Sequence, residues 1–363
     1  MLCDEIRDVV SRLAFEGRLT GVEEIKSGHV NRTYRLTFES PNDRYILQKI
    51  NTYAFHRPDQ LMENAQKVTA HLESKLRAAG ESPDRRVLEF VPARAGGFLA
   101  QDAQGGAWRA YRFVDEAFAY DRVEKPAHFR EAGRAFGQFQ RLLADFPASE
   151  LHETIPFFHH TPRRFADFVG AVARDEAGRV RAVEKEIDFF FDRRKMMDQI
   201  VRRIEDGALP LRVTHNDTKI NNVLIDAHTE RALCVIDLDT VMPGSALYDF
   251  GDAIRFGAAT AAEDEAEGMG LDMNLFGEFT EGFLEQVNGF LTPEEIQLLP
   301  LGVQVITCEI AMRFLADYLQ GDPYFKIDHP QHNLARARAQ MALLEDVERK
   351  YAQMQQVVAR LSA

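Results

Sequence analysis

Residues 4–17 carry apolar side chains at Ile6, Val9, Val10, Leu13 and Ala14, a helical spacing that Gly17 closes. From Val22 to Ile50 the period falls to two. Tyr34-Arg35-Leu36-Thr37-Phe38 alternates, Ser40-Pro41-Asn42-Asp43 reads as a turn, and Tyr45-Ile46-Leu47 resumes the run, which predicts a β-hairpin. Leu61–Leu76 returns to helical spacing. Val87–Val91 and Ala107–Val114 read as two more strands, joined across Gly96-Gly97 and Gly105-Gly106. Residues 1–115 thus predict about five strands around one internal helix, an α+β pattern.

Beyond Glu116 the spacing is mostly helical. Phe129–Phe146 presents Ala132, Ala135, Phe136, Phe139, Leu142 and Leu143 on one face, and Arg163–Val172, Val183–Ile204, Phe276–Val287, Pro293–Leu319 and Gln331–Leu361 follow suit. A β-rich island, Leu211–Ile236, interrupts them. The expected organisation is a small β-rich N-terminal lobe (1–115) and a larger, mainly helical C-terminal lobe (116–363).

Composition narrows the functions available. The 363 residues carry 44 basic and 57 acidic side chains, a net charge of −13, which argues against a nucleic-acid partner. The imbalance is unevenly spread: residues 1–115 hold 17 basic against 16 acidic side chains, and the remainder 27 against 41. Cys3, Cys234 and Cys308 are far apart and match no metal or disulfide spacing. The N-terminus lacks signal-peptide regions, and Leu298–Leu319 is interrupted by Pro300, Gln304, Glu309, Arg313 and Asp317. A cytoplasmic chain with no membrane partner is expected; the sequence does not fix its oligomeric state.

The chemistry concentrates at Val213–Asp239. His215-Asn216-Asp217-Thr218-Lys219-Ile220-Asn221-Asn222 lies between two short β-runs, and Cys234-Val235-Ile236 leads into Asp237-Leu238-Asp239. Polar residues at the ends of neighbouring strands can converge on one ligand. Phosphoryl transfer needs such convergence: a carboxylate for the acceptor hydroxyl, a cation for the γ-phosphate, and hard oxygens for Mg²⁺. Asp217 and Lys219 fit the first two tasks, and Asn222 and Asp237 the metal. The spacing His-x-Asp-x-Lys-x-x-Asn, with a later Asp after a β-run, is that of a protein-kinase catalytic loop. His215 reads as a backbone-pinning residue, and Asn216, Asn221 and Asp226 as turn formers. Val235–Val241 also fits the Asp-x-Asp signature of haloacid-dehalogenase-type phosphatases. That signature, however, follows the first strand of a Rossmann-like domain, whereas this one lies two-thirds along the chain.

These motifs resemble the aminoglycoside phosphotransferase/choline kinase superfamily. Arg212–Asn222, Val235–Gly244, Leu247–Gly257 and Met312–Leu319 are similar to segments of bacterial N-acetylhexosamine 1-kinases. The resemblance implies a bilobal protein-kinase-like α+β fold, with ATP and Mg²⁺ used to phosphorylate the anomeric hydroxyl of an N-acetylhexosamine. It also implies Asp217 as catalytic carboxylate, Asn222 and Asp237 as metal ligands, and Gly28 with Asn31 over the phosphates. The strand that commonly carries a phosphate-binding Lys has Gln48 instead, beside Lys49. Either Gln48 contacts phosphate as a neutral donor or Lys49 reaches round; Glu63, the potential ion-pair partner of such a Lys, is then a weak candidate. The hinge reading adenine is expected at Val114–Glu116. For the sugar, His29, Asp252, Phe256 and Arg313 are candidates: Asp252 and Arg255 share a helix face, and Glu309, Arg313 and Asp317 form either a salt-bridge ladder or a ligand-facing stripe. The alternatives are a kinase of an amino-alcohol or aminoglycoside, and a non-catalytic nucleotide-binding module.

Overall fold

The computed structural model describes residues 2–25, 30–39 and 44–362; Gly28, His29 and the turn Ser40–Asp43 lie outside the described residues. Helix α1 (Leu2–Arg12) precedes strands β1 (Leu19–Ile25), β2 (Arg32–Phe38) and β3 (Arg44–Lys49), helix α2 (Pro58–Ala78), and strands β4 (Ala100–Gln101) and β5 (Ala107–Arg112). The strands form one antiparallel sheet in the order β1-β2-β3-β5-β4. Alternation along the pleat sorts the side chains to two faces. Tyr34, Leu36, Tyr45, Leu47, Trp108 and Ala110 pack with Ile6 and Val9 of α1 and with Leu13 just beyond it. The opposite face carries Thr33, Gln48 and Arg109. Val87–Val91 forms no ladder strand. It runs along β5, with Val91 N–H donating to Ala110 O (2.8 Å) and Arg112 N–H to Glu89 O (2.9 Å). Its start, however, is held in a turn, where Val87 N–H donates to Pro83 O (3.2 Å), so among the described residues one bridge, Phe90 to Tyr111, is all that forms there.

The helical part begins after β6 (Ala117–Phe118) with α3 (Pro126–Leu142), α4 (Thr161–Arg174), α5 (Glu184–Met197) and α6 (Gln199–Glu205). Strands β7 (Arg212–Thr214), β8 (Val223–Asp226), β9 (Ala232–Val235) and β10 (Met242–Gly244) follow, then α7 (Ala246–Gly257), α8 (Met273–Val287), α9 (Pro293–Gln297), α10 (Leu299–Leu319) and α11 (His332–Leu361). The run expected over Val183–Ile204 is two helices meeting at Asp198, and Pro293–Leu319 breaks at Leu298, one residue before Leu299 and Pro300 open a new first turn. Helix α10 is long and apolar enough to cross a membrane by composition alone, but its side chains are core: Val303, Val305, Ile306 and Leu315 are fully buried.

Two close backbone approaches hold this core. A Cβ on Gly302 would stand 2.2 Å from Leu247 O, and one on Gly251 2.4 Å from Gly302 O, so α7 and α10 touch main chain to main chain. Glycines on α3 do the same against α8, where a Cβ on Gly133 would meet Phe279 O at 2.3 Å. Among the described residues every strand pairing is antiparallel, including β7 with β10 and β8 with β9. Asp237 therefore follows an antiparallel strand rather than the first parallel strand of a Rossmann-like sheet, which removes the dehalogenase reading.

Candidate active site

The loop between β7 and β8 is set by its own backbone bonds. Asn216 takes a left-handed conformation (φ 62°), and its side chain accepts from Thr214 Oγ1 (3.0 Å) while donating to Thr240 O (2.9 Å). His215 Nε2 donates to Ile236 O (2.9 Å) and its Nδ1 accepts from Asp217 N–H (3.3 Å), so this histidine pins backbone. Beneath it, the buried carboxylate of Asp249 on α7 accepts from the N–H groups of His215 (2.9 Å) and Asn216 (2.8 Å) and from Gln140 Nε2 (2.8 Å). Thr218 Oγ1 closes the loop onto Asp249 O (2.5 Å). Nothing in the sequence marks Asp249 as the organiser of this loop except its phrase Tyr-Asp-Phe-Gly.

The constraint presents Asp217, Lys219 and Asn222 together. Lys219 Nζ lies 3.1 Å from Asp217 Oδ1. Asn222 Nδ2 donates to Asp217 O (2.8 Å) and Oδ2 (3.0 Å), leaving its amide oxygen with no donor among the described residues. Burial alone would push the Asp217 carboxyl up; Lys219, His215 and the Asn222 amide outweigh it and hold it below the usual range. Burial likewise opposes the charge on Lys219, and Asp217 and Asp252 overcome it and raise its pKa.

Asp237 stands at the same cleft in a left-handed conformation (φ 60°) after β9. Its residue surface is still open to water, yet loss of solvent at that depth, followed by the like charges of Asp239 and Asp217, raises its pKa to about 7. No described group donates to its carboxylate. The Asp237 carboxylate, crowded by its own kind, and the amide oxygen of Asn222, at the neighbouring strand end with its main-chain O accepting from Ile236 N–H (2.9 Å), are hard-oxygen donors that fit Mg²⁺. Among the described residues no three Asp, Glu, His or Cys side chains form a cage for an ion, consistent with a metal that keeps waters and substrate oxygens.

The remaining candidates sort by position. Asp252 and Phe256 join Lys219: Lys219 Nζ lies 6.0 Å from the Phe256 ring, and Asp252 Oδ1 is 2.8 Å from Arg255 Nε and Nη2. Arg313 stands further off, packed over Phe158, Tyr324 and Phe325 and 3.7 Å from Glu309 Oε1. It connects to the loop through His159, whose Nδ1 meets Glu309 (3.1 Å) and whose Nε2 reaches Asn216 O (3.4 Å). Asp317 turns away to accept from Tyr324 N–H and Phe325 N–H (both 2.9 Å), so the expected three-member ladder is not built. Arg313, Arg164, Tyr324 and Phe325 line a cavity of about 420 Å³.

On the nucleotide side, Val114 has no hydrogen-bond partner for its N–H or C=O among the described residues, whereas Glu116 O accepts from Ala227 N–H (2.8 Å). Asn31 Nδ2 donates to Asp239 Oδ2 (2.7 Å) and its Oδ1 accepts from Asn51 N–H (3.0 Å). Gln48 Oε1 accepts from Arg109 Nε (3.0 Å) and Nη2 (2.8 Å), and its Nε2 donates to Thr33 Oγ1 (3.2 Å). Lys49 points to the other face, where Glu5 (2.7 Å) and Asp102 (2.8 Å) hold it over Trp108, so it does not reach round. Glu63 pairs with Lys67 (2.8 Å) and His152 (2.9 Å), with no partner on β3. Arg109 and His159 were not foreseen. One sits in an ordinary-looking alternating strand and the other in an aromatic loop.

A small antiparallel sheet over a helical body, with a His-x-Asp-x-Lys-x-x-Asn loop and an Asp-bearing loop meeting between them, defines a protein-kinase-like phosphotransferase fold. Residues 21–280 match the phosphotransferase enzyme family (APH), and the chain belongs to that family. Similar solved structures include a microcompartment-associated aminopropanol kinase (17% identity, TM-score 0.65, covering 97% of this chain and 98% of that one). An aminoglycoside phosphotransferase from Alicyclobacillus acidocaldarius is 12% identical with a TM-score of 0.63, covering 98% of this chain and 96% of that one. An ethanolamine kinase from Plasmodium vivax is 15% identical with a TM-score of 0.57, covering 91% of this chain and 83% of that one.

Proposed function

We propose that the chain is an ATP- and Mg²⁺-dependent kinase of a small alcohol, and specifically of an N-acetylhexosamine (GlcNAc or GalNAc) phosphorylated at its anomeric hydroxyl. The observation that carries the reading is the convergence of Asp217, Lys219 and Asn222 in one fixed loop facing Asp237. Asp217, held ionised, orients the acceptor hydroxyl and takes its proton as the new phosphorus–oxygen bond forms and the bond from the γ-phosphorus to the bridging oxygen breaks, releasing ADP. Lys219 offsets the charge on the transferring phosphoryl group. Asn222 and Asp237 would hold Mg²⁺, which neutralises phosphate charge when bound. On this reading residues 1–115 carry the nucleotide, with Gly28 and Asn31 over its phosphates and Val114 and Glu116 at the adenine hinge; residues 116–363 carry the acceptor.

Charge pairing favours a neutral acceptor over a cationic one. The carboxylates around the acceptor side are already matched: Asp252 by Arg255 (2.8 Å), Glu263 by the same arginine (3.0 Å), and Glu309 by His159 (3.1 Å) and Arg313 (3.7 Å). An ammonium group would find little unpaired negative charge there, whereas hydroxyls and an amide find fixed donors and acceptors beside Phe256, with Arg313 and His29 as further contacts.

The test is an acceptor panel of GlcNAc, GalNAc, ethanolamine, aminopropanol and spectinomycin with Mg-ATP, following ADP release and locating phosphorus on the product by NMR. Phosphate on C1 of a hexosamine supports the reading. Turnover confined to the amino-alcohols or spectinomycin replaces it with the cationic-acceptor reading. ATP binding with no ADP release for any acceptor leaves a nucleotide-binding module.

A further inference from the structure

We propose that Arg109 is the phosphate-binding cation of this kinase, taking over from β5 the task that Gln48 on β3 cannot perform. The inference rests on the kinase reading above. Gln48 and Arg109 are register partners on adjacent strands, so their side chains rise side by side from the sheet face turned to the cleft. The Gln48 carbonyl grips Nε and Nη2 of the guanidinium, which aims Arg109 across the cleft. Its tip meets Asp239 Oδ1 at 2.5 Å, two residues beyond Asp237. Asp237 is close enough for its charge to act on Arg109, so a phosphate beside Asp237 would come within the reach of this guanidinium.

The guanidinium is buried but not fully used. Its Nη1 faces only the thioether of Met62 at 3.8 Å, a weak acceptor, so donors remain for an oxyanion. Asp239 Oδ1 forms a buried ion pair with the guanidinium at 2.5 Å, while its Oδ2 is held by Asn31. A planar guanidinium matches phosphate oxygens two at a time and, with its charge already desolvated, exchanges one anion for another without re-entering water. On the neighbouring strand Lys49 is committed to Glu5 and Asp102 on the far face of the sheet, so it cannot take this place. Asp239 thus holds the arginine in place, and the nucleotide's phosphates displace it.

The test moves the cation. Arg109→Met should weaken Mg-ATP binding by about 10- to 100-fold in calorimetry while adenosine affinity stays constant. The double variant Gln48→Lys/Arg109→Met, which returns a cation to β3, should recover most of the loss. A folded Arg109→Met enzyme with the wild-type preference for ATP over adenosine overturns the inference. So does a parallel fall in both affinities that Gln48→Lys does not relieve, because that pattern marks a structural contact only. If Arg109→Met does not fold, the wild-type Arg109 guanidinium ¹⁵N resonances decide: they must shift with Mg-ATP and not with adenosine. Wild-type protein with no preference for ATP over adenosine and no turnover sinks the kinase reading and this inference together. A preference that survives in Arg109→Met sinks this inference alone.

Discussion

The side-chain amide of Asn222 donates to both the carbonyl and the carboxylate of Asp217, at 2.8 and 3.0 Å. One amide therefore fixes the backbone and the carboxylate of the same residue, and Lys219 fixes the other carboxylate oxygen. Asp217→Asn removes the charge and keeps the shape. Turnover should fall by about 10²- to 10⁴-fold with nucleotide affinity unchanged, measured by coupled ADP release and calorimetry.

Arg313 is nearly buried and its closest carboxylate, Glu309, is 3.7 Å away and already shared with His159. Its guanidinium has donors to spare for an acceptor hydroxyl. Arg313→Ala should raise the acceptor KM by about 10- to 100-fold and leave the KM for ATP as it was. Equal rises in both would show that Arg313 serves the fold rather than the acceptor.

Asp226 closes the β8–β9 turn by accepting from Thr229 N–H (2.9 Å) and His228 N–H (3.1 Å), with Arg85 at 3.0 Å. These contacts, led by the Thr229 N–H, lower its pKa from 3.8 to about 2. A depressed carboxyl stabilises the fold above its unfolded pKa and loses that contribution as pH falls through the folded value. Wild-type protein should therefore lose stability between 3.8 and about 2, in a step that Asp226→Ala lacks. Denaturant midpoints across that range measure it.

Gly302 has no room for a methyl group, since its Cβ would lie 2.2 Å from Leu247 O. The obstacle is main chain on α7, which cannot rotate aside. Gly302→Ala should cost about 1–3 kcal/mol in urea unfolding. Gly277 on α8, with nothing within 4 Å of its Cβ, is the control: Gly277→Ala should be neutral or slightly stabilising.

The loop from His215 to Asn222 was legible because its pattern is local. His215 to Asn222 are neighbours in the chain, and their spacing states which side chains meet. The β2–β3 hairpin and the long amphipathic helices were legible for the same reason. Arg109 was not, because its meaning depends on pairing with Gln48, 61 positions away, and on a carboxylate at Asp239 in the other half of the molecule. His159 was hidden similarly: it gains its meaning from Glu309, 150 residues further on. Val87–Val91 misled because β-forming composition does not show that the turn after Pro83 takes up its first residue.

Asn64 on α2 donates to Val241 O (3.0 Å) and His152 O (2.8 Å) and accepts from His152 N–H (2.9 Å), so a helix of the nucleotide side is stitched into the segment that follows Asp239. Modular exchange is thereby restricted. A hybrid that borrows its first 115 residues from a related kinase must import Asn31, Asn64 and Arg109 as a set, or it leaves Asp239 and the Val241 carbonyl facing strangers. The seam for recombination between such enzymes runs through these pairings rather than through the connecting loop.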